Sequence, residues 1–327
     1  MKKLAIFLLV LSMAVSFVFA QGGSEVDRSA KYPERTISII VPAKTGGDCD
    51  QVTRIITPGL AENLGVSVVA ENVDGGAGNL ALARLLQNEA DGYQFALFNG
   101  AIFTGELAGS FKYSLDEFIP VCTIAQNDTQ ILVANAKGKY NTVEALANAV
   151  KTAPGTVKFA ATMGAPSQIH AVATENAMGG KFKKVDVASG SSKLVALLSG
   201  EVDIVSSTHS LVKDYVQKGE IVALASICTE RSAFGPDTPT FKELGYDLGP
   251  NFAATYVLMA KKGTPDYVIE KICKAVEAEM SDAETVKILN NLNYTPAVRC
   301  GEEAVEWFNT ERNAYLSMKE AIANDKW

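Results

Sequence analysis

Histidine is nearly missing from this sequence. There are two in 327 residues, His170 and His209. No G-x-S-x-G elbow is present, and no histidine, cysteine or carboxylate spacing suits a metal. Hydrolytic and metal chemistry therefore have almost no material to work with. The five cysteines, Cys49, Cys122, Cys228, Cys273 and Cys300, are widely spaced with no C-x-x-C pair. That pattern argues against a zinc site, and most of the five are expected to be free and buried. Beyond the N-terminus no segment reaches roughly 18 unbroken apolar residues, the length that reads as a membrane span. Basic residues are in deficit, 30 against 37 acidic ones, for a formal net charge of −7. That argues against nucleic acid or an anionic membrane surface as the main partner.

What is present begins with a leader. Lys2 and Lys3 precede an apolar stretch, Leu4–Val18, and Val18-Phe19-Ala20 offers a small-residue cleavage site. Residues 1–20 read as a secretory signal, with no neighbouring cysteine for a lipid anchor. The expected location is exported, periplasmic or at the cell surface. The remaining chain is long enough for two medium domains, and its 47% apolar share fits a substantial core.

The organising stretch is ISIIVPAKTGGDCD, Ile37 to Asp50. A β-branched run reads as a buried strand, and Pro42 ends it because it has no N–H for a ladder. Lys44, Thr45, Gly46, Gly47 and Asp48 form a turn, and Asp50 is predicted to be the N-cap of the helix that follows. A strand, a glycine turn and a helix N-terminus together make an anion site, because the first N–H groups lack partners and the dipole favours negative charge. Pro58 falls inside this helix and is expected to kink or break it. The device then repeats. A second strand leads to Gly75-Gly76-Ala77-Gly78-Asn79, and a third to Asn99-Gly100. Strands alternating with helices imply right-handed parallel crossovers, with ligands beyond the carboxyl ends of the strands.

After strands at Ile119–Ala125 and Ile131–Ala134 the pattern restarts. Asn141 and Glu144 resemble a capping box for the next helix. A strand at Val157–Ala161 ends in Thr162-Met163-Gly164-Ala165-Pro166-Ser167, and Pro166 suits a first helical turn that would carry His170. Ser189-Gly190-Ser191-Ser192 and Ser206-Ser207-Thr208 are further small-residue turns after strands. Phe252–Ala260 would return the chain to the first domain, and the C-terminal third reads as helices at Pro265–Met280, about Ala283–Leu292 and Glu302–Asn324. The fold class is α/β: a two-domain periplasmic-binding-protein fold, each domain a mixed, mostly parallel sheet flanked by helices. Domain 1 is expected to hold residues 29–128 and 253–327, domain 2 residues 129–252, with the ligand cleft between them.

In order along the chain stand Pro42…Gly46-Gly47…Asp50…Arg54, Glu71-Asn72…Gly75…Gly78-Asn79, Asp91-Gly92-Tyr93, Gly164…Ser167…His170, Gly200…Val202-Asp203, Glu230-Arg231, Pro236-Asp237-Thr238-Pro239-Thr240…Glu243-Leu244-Gly245 and Gly263-Thr264-Pro265. In this series the chain resembles the substrate-binding receptors of tripartite tricarboxylate transporters, also called Bug proteins. The resemblance implies a non-catalytic monomer that closes on a small carboxylate and hands it to a membrane permease, with no cofactor and no metal. It also implies a carboxylate held mainly by backbone N–H groups, small hydroxyls and water. By motif, the contacts would come from Lys44–Asp48, Gly75–Asn79, Met163–Ser167, His170, Ser189–Ser191 and Ser206–Thr208, with Asp50 and Asn99 beside them. Lys44 and Asp48 depart from the family pattern. Lys44 would pair a second ligand carboxylate; Asp48 would either neutralise Lys44 or select a cationic group on the ligand. The ligand class therefore spans di- and tricarboxylates, acidic amino acids and aromatic acids.

Two alternatives remain open on sequence. A chemosensory or regulatory carboxylate receptor of the same fold would differ only in its membrane partner. A dinucleotide-dependent enzyme would use Gly76-Ala77-Gly78-Asn79-Leu80-Ala81 as a loose G-x-G-x-x-A fingerprint, but no acidic residue stands near position 96 to hold a ribose.

Overall fold

The computed structural model describes residues 31–187 and 189–325. The expected leader at 1–20 lies outside the described residues, and the main compact body begins at Arg35.

Two mixed sheets organise that body. The first contains β1 (Ile37–Val41), β2 (Val68–Asn72), β3 (Gln94–Phe98), β4 (Phe118–Asn127), β10 (Ala254–Lys261) and β11 (Thr295–Cys300), in the order β11-β4-β10-β3-β1-β2. The second contains β5 (Gln130–Asn135), β6 (Lys158–Ala161), β7 (Lys183–Asp186), β8 (Ile204–Thr208) and β9 (Ile221–Ser226), in the order β7-β6-β8-β5-β9. In the first sheet β1 to β4 run one way and β10 and β11 run against them. In the second, β5 alone is reversed. The mixed, mostly parallel expectation is met in strand direction, and the reversed β5 and β10 each begin at a crossing between sheets. Helices connect the successive strands β1 to β4 and β6 to β9.

The central strands are buried on both faces, so they read as continuous apolar runs. Ile39, Ile40 and Val41 of β1 and Val121, Cys122, Ile124 and Ala125 of β4 are all inaccessible to solvent. Ile37–Val41 ends before Pro42, as the missing N–H requires.

Helix α1 spans Asp48–Leu64 and closes on Gly65, whose φ of 71° and N–H to Ala61 O form a left-handed cap. It starts two residues before the expected point. Gly47 is the N-cap, and Asp50 lies inside the first turn. Pro58 does not break it. An interior proline costs roughly 3 kcal/mol, and here it faces solvent. The Arg54 carbonyl that Pro58 leaves without a donor instead has the Thr57 hydroxyl at 3.5 Å. Helices α2 (Asn79–Leu86), α3 (Ala101–Leu107), α8 (Asp266–Glu279), α9 (Ala283–Asn291) and α10 (Glu302–Ser317) complete the first layer set. Around the second sheet lie α4 (Val143–Thr152), α5 (Pro166–Met178), α6 (Gly190–Ser199) and α7 (His209–Gln217). The capping box at Asn141 is displaced by one residue: Thr142 is the N-cap, and its hydroxyl accepts the Ala145 N–H.

The chain passes between the sheets three times. β4 leads into β5 through Asp128 and Thr129, where Asn127 Oδ1 accepts from both the amide and the hydroxyl of Thr129. The stretch 227–253 leads back to β10. The third passage was not expected. The helix read as Glu302–Asn324 divides at Met318, and α11 (Lys319–Ala323) packs on α5 of the second sheet. Asp325 then pairs with Lys184 and accepts from Gln168.

Candidate functional site

The first loop is built around two carboxylates. Asp50 is 1% exposed. It accepts from the Gly46 N–H at 2.8 Å, from Arg54 Nε at 2.9 and 3.0 Å and from Asn72 Nδ2 at 2.8 Å. The Arg54 guanidinium, with the Gly46 and Asn72 donors, holds its carboxyl down at about 2, against the opposing effect of burial. Asp48 is exposed and accepts from the Cys49 N–H at 2.8 Å, Asn99 Nδ2 at 2.7 Å and the Tyr256 hydroxyl at 3.1 Å. The first helix N-terminus is therefore already supplied with two anions of its own. Negative charge thus stands at the helix end where an anion site was expected. Asp48 does not neutralise Lys44. Lys44 is exposed, and among the described residues it makes no ion pair.

Two adjoining cavities open between the sheets. The larger, about 310 Å³, has walls from Asp48, Cys49, Asp74, Gly78, Phe98 and Asn99, from α3, and from Gly164 of the second sheet's loops. The smaller, about 150 Å³, shares Asn99, Ala101 and Thr104 with it and adds Gln130, Pro166, His170, Phe252 and Tyr315. Of the residues singled out from sequence, Asp48, Gly78, Asn99, Gly164 and His170 are thus brought together. Lys44, Thr45, Gly46, Gly47, Asp50, Gly76, Asn79, Met163, Ala165, Ser167, Ser189, Ser191, Ser207 and Thr208 do not line these two walls.

Several of those residues have structural duties. Asn79 donates to the Gly76 carbonyl and accepts the Lys112 N–H. Ala165 is the N-cap of α5, and Ser189 caps α6 by accepting the Ser192 N–H. Ser207 is paired opposite Ile131 within the sheet. Thr208 precedes α7, and Met163 is an exposed loop tip. Ala77 lies in the short 3-10 turn of Gly76–Gly78.

The glycine pattern of this turn has a packing cause. Gly78 has φ of 95°, and a Cβ there would sit 2.9 Å from the Phe98 ring. Glycine is needed for that approach whether or not a dinucleotide is bound, and a β-branched residue at Gly78 would disturb the fold. At Gly46, φ is 86° and nothing crowds the position.

His170 lies on the second turn of α5, edge-on to Phe252 with ring centres 4.8 Å apart. Its Nδ1 is buried without a hydrogen-bond partner among the described residues. Burial, with the Lys193 charge nearby, holds the imidazole down at about 3, so the ring is neutral. It offers the cleft a dipole and not a charge.

Sequence reasoning missed α3, Tyr256, Tyr315 and Lys193. α3 was read only as the turn Asn99-Gly100. The one signal was Asn99 itself, whose Oδ1 accepts the Ala101 N–H. Lys193 sits on α6, 7% exposed, and donates to Ser167 Oγ at 2.8 Å. Among the described residues no group of three or more histidine, cysteine or acidic side chains is placed to hold a metal, and no helix is long and apolar enough to cross a membrane.

Comparison with known proteins agrees with this architecture. The sequence pattern of the family described as "Tripartite tricarboxylate transporter family receptor" matches residues 52–313. Protein BugT of Bordetella pertussis is 27% identical over 296 residues, covering 88% of this chain and 90% of that protein. The structure of a TctC solute binding protein from Polaromonas, without ligand, superposes with a TM-score of 0.78 at 23% identity, covering 90% of this chain and 99% of that one. MatC from Rhodopseudomonas palustris with bound malate superposes with a TM-score of 0.63 at 23% identity, covering 90% of this chain and all (100%) of that one. The chain belongs to the tripartite tricarboxylate transporter receptor family, the Bug-type solute receptors.

Proposed function

We propose that this protein is a non-catalytic extracytoplasmic receptor that captures a small carboxylate between its two sheets and delivers it to a membrane permease. The observation that carries this reading is the cavity walled by loops of both sheets, with Asp48 and Asn99 on one side and Gly164 on the other. A ligand there touches both lobes at once, so its binding energy favours the closed arrangement over the open one. Closure would bend the chain at Asp128–Thr129, along 227–253 and at Met318, the three passages between sheets. It would also expel water from the cleft, which strengthens each remaining hydrogen bond. In this reading residues 1–20 are removed on export, the two lobes are 29–128 with 253–318 and 129–252 joined by 319–325, which corrects the expected assignment of the whole C-terminal stretch to domain 1, and the receptor acts as a monomer.

The test is a thermal-shift screen of the protein from Gln21 onward against mono-, di- and tricarboxylates, amino acids, aromatic acids and NAD. A ligand at 100 times its Kd adds about 2.7 kcal/mol, several degrees at this size. A shift with a carboxylate class is expected. A shift with NAD alone, or with no acid at all, contradicts the proposal.

A further inference from the structure

The chain has two well-buried lysines on the second sheet's side, and they are treated differently. Lys184, with a side chain 2% exposed, is bracketed by the carboxylates of Glu175 and Asp325. Lys193 is 7% exposed and forms no ion pair among the described residues. Its Nζ carries three donors, and the hydrogen bond seen for them is to Ser167 Oγ at 2.8 Å.

Ser167, 9% exposed, is equally incomplete. Its oxygen accepts from Lys193 and from the Thr162 N–H at 3.0 Å. Both lone pairs are then engaged, and the hydroxyl proton is left to donate with no acceptor among the described residues. A buried ammonium and a buried hydroxyl with donors to spare call for an anion, because an uncompensated buried charge is costly. Burial already pulls the Lys193 amine below its ordinary range, with the Asp186 charge opposing it.

The surroundings agree. Helix α5 begins at this point with no acidic residue in its first turn and no side-chain cap, the opposite of α1 with Asp48 and Asp50. The nearest carboxylates come from outside the helix: Asp186 accepts the Met163 N–H at 3.4 Å and Asp325 accepts from Gln168 Nε2 at 2.9 Å, so the positive end of the α5 dipole carries no acid of its own. Ser167 does not itself line either cavity, but it stands in sequence between Gly164, a wall of the larger, and His170, a wall of the smaller.

We propose that Lys193 Nζ and Ser167 Oγ form a cationic anchor at the start of α5 for one carboxylate of the ligand. This rests on the receptor reading above and deepens it. Asp48 on the facing wall accepts three hydrogen bonds from neutral donors and has no ion-pair partner among the described residues. It repels a second carboxylate and accepts a donor. The ligand class that suits both poles is a carboxylate whose far end donates hydrogen bonds, an amino or hydroxy acid in preference to a plain dicarboxylate.

Titration calorimetry tests this with plain dicarboxylates from malonate to adipate and the amino and hydroxy acids of matching chain length. Wild type is expected to prefer the amino and hydroxy acids. Lys193→Met is expected to lower affinity at least tenfold for every acid that wild type binds, with partial recovery in Lys193→Arg. Ser167→Ala gives a smaller loss in the same direction. Asp48→Asn is expected to narrow the preference against dicarboxylates. If wild type binds acids and both Lys193→Met and Ser167→Ala, folded by circular dichroism, bind them equally well, the anchor is overturned while the receptor reading stands. Tighter binding of plain dicarboxylates by wild type overturns the assigned ligand class. Binding of no acid by wild type overturns both readings.

Discussion

The Tyr256 hydroxyl donates to Asp48 Oδ2 at 3.1 Å, joining residues 208 positions apart in sequence. Tyr256 belongs to β10, the strand on which the chain returns to the first sheet, and its ring is 1% or less exposed, edge-on to Tyr294. The first loop is thus fixed from the return crossing as well as from its own helix. Hydrogen bonds to charged groups contribute roughly 1.5–3 kcal/mol when buried and less where water competes, as at exposed Asp48. Tyr256→Phe keeps the packing and removes the bond. We expect a loss of about 1 kcal/mol in denaturant unfolding and a rise in ligand Kd. An unchanged midpoint and Kd would show that Asn99 and the Cys49 N–H suffice to hold Asp48.

Asp50 makes the first loop acid-sensitive. Its carboxyl is held at about 2, below the ordinary 3.8, mainly by Arg54. A depressed carboxyl contributes stability that is complete above the ordinary value and lost as pH falls towards 2. Asp50→Asn is therefore expected to lower stability at pH 7 and to flatten its dependence between about pH 4 and 2. Urea unfolding at several pH values checks both effects. Parallel wild-type and variant curves across that window would remove Asp50 from the account.

Glu311 acts in the opposite sense. It lies on α10 and accepts the Asn251 N–H at 3.2 Å, on the passage back to β10. Burial raises its carboxyl to about 7, against the effects of that N–H and of Arg299. A raised carboxyl is bound to its proton more firmly in the folded state, so stability falls as pH rises from the ordinary value of 4.5 through 7. Glu311→Gln keeps an acceptor for Asn251 and removes the titration. The variant is expected to melt higher than wild type at pH 8 and close to it at pH 4. Equal Tm differences at both pH values would contradict this.

Three thiols meet behind β4. Cys300 of β11 is directly opposite Cys122 of β4, and Cys273 of α8 donates to Val121 O, the residue before Cys122, at 3.4 Å. The neighbouring Cys273 and Cys300 thiols, together with burial, raise the Cys122 thiol. Treatment with diamide, which takes up two electrons and two protons as two thiols join, is expected to give one crosslink within this trio. Cys49 and Cys228 are expected to remain free. Peptide mapping without reduction checks this, and a crosslink to Cys49 or Cys228 would contradict the arrangement.

Much of the fold was legible because local and global preferences coincide. β1 ends at Pro42, α1 ends at Gly65 and α5 begins with Pro166 and ends at Gly179, each where backbone chemistry leaves little choice. β11 was not legible. It is a half-exposed edge strand containing Pro296, with no alternation of apolar and polar residues. α3 was hidden because Ala101–Leu107 is too short for a periodic face. In the site, sequence located the turns but not their charges. Asp50 read as a cap although Arg54 stands at the i,i+4 spacing of an ion pair; Asn72, which also converges on it, is 22 residues away and leaves no local sign. Lys193 left no signal in the sequence, because its partner Ser167 lies on α5, a tertiary neighbour.

The most direct test of a cleft that binds from both sides is amide hydrogen exchange with and without the acid found in the thermal screen. The account predicts added protection in three places at once: 46–50, 98–105 and 162–170. Protection confined to one sheet's loops, or lying outside these segments, would contradict it.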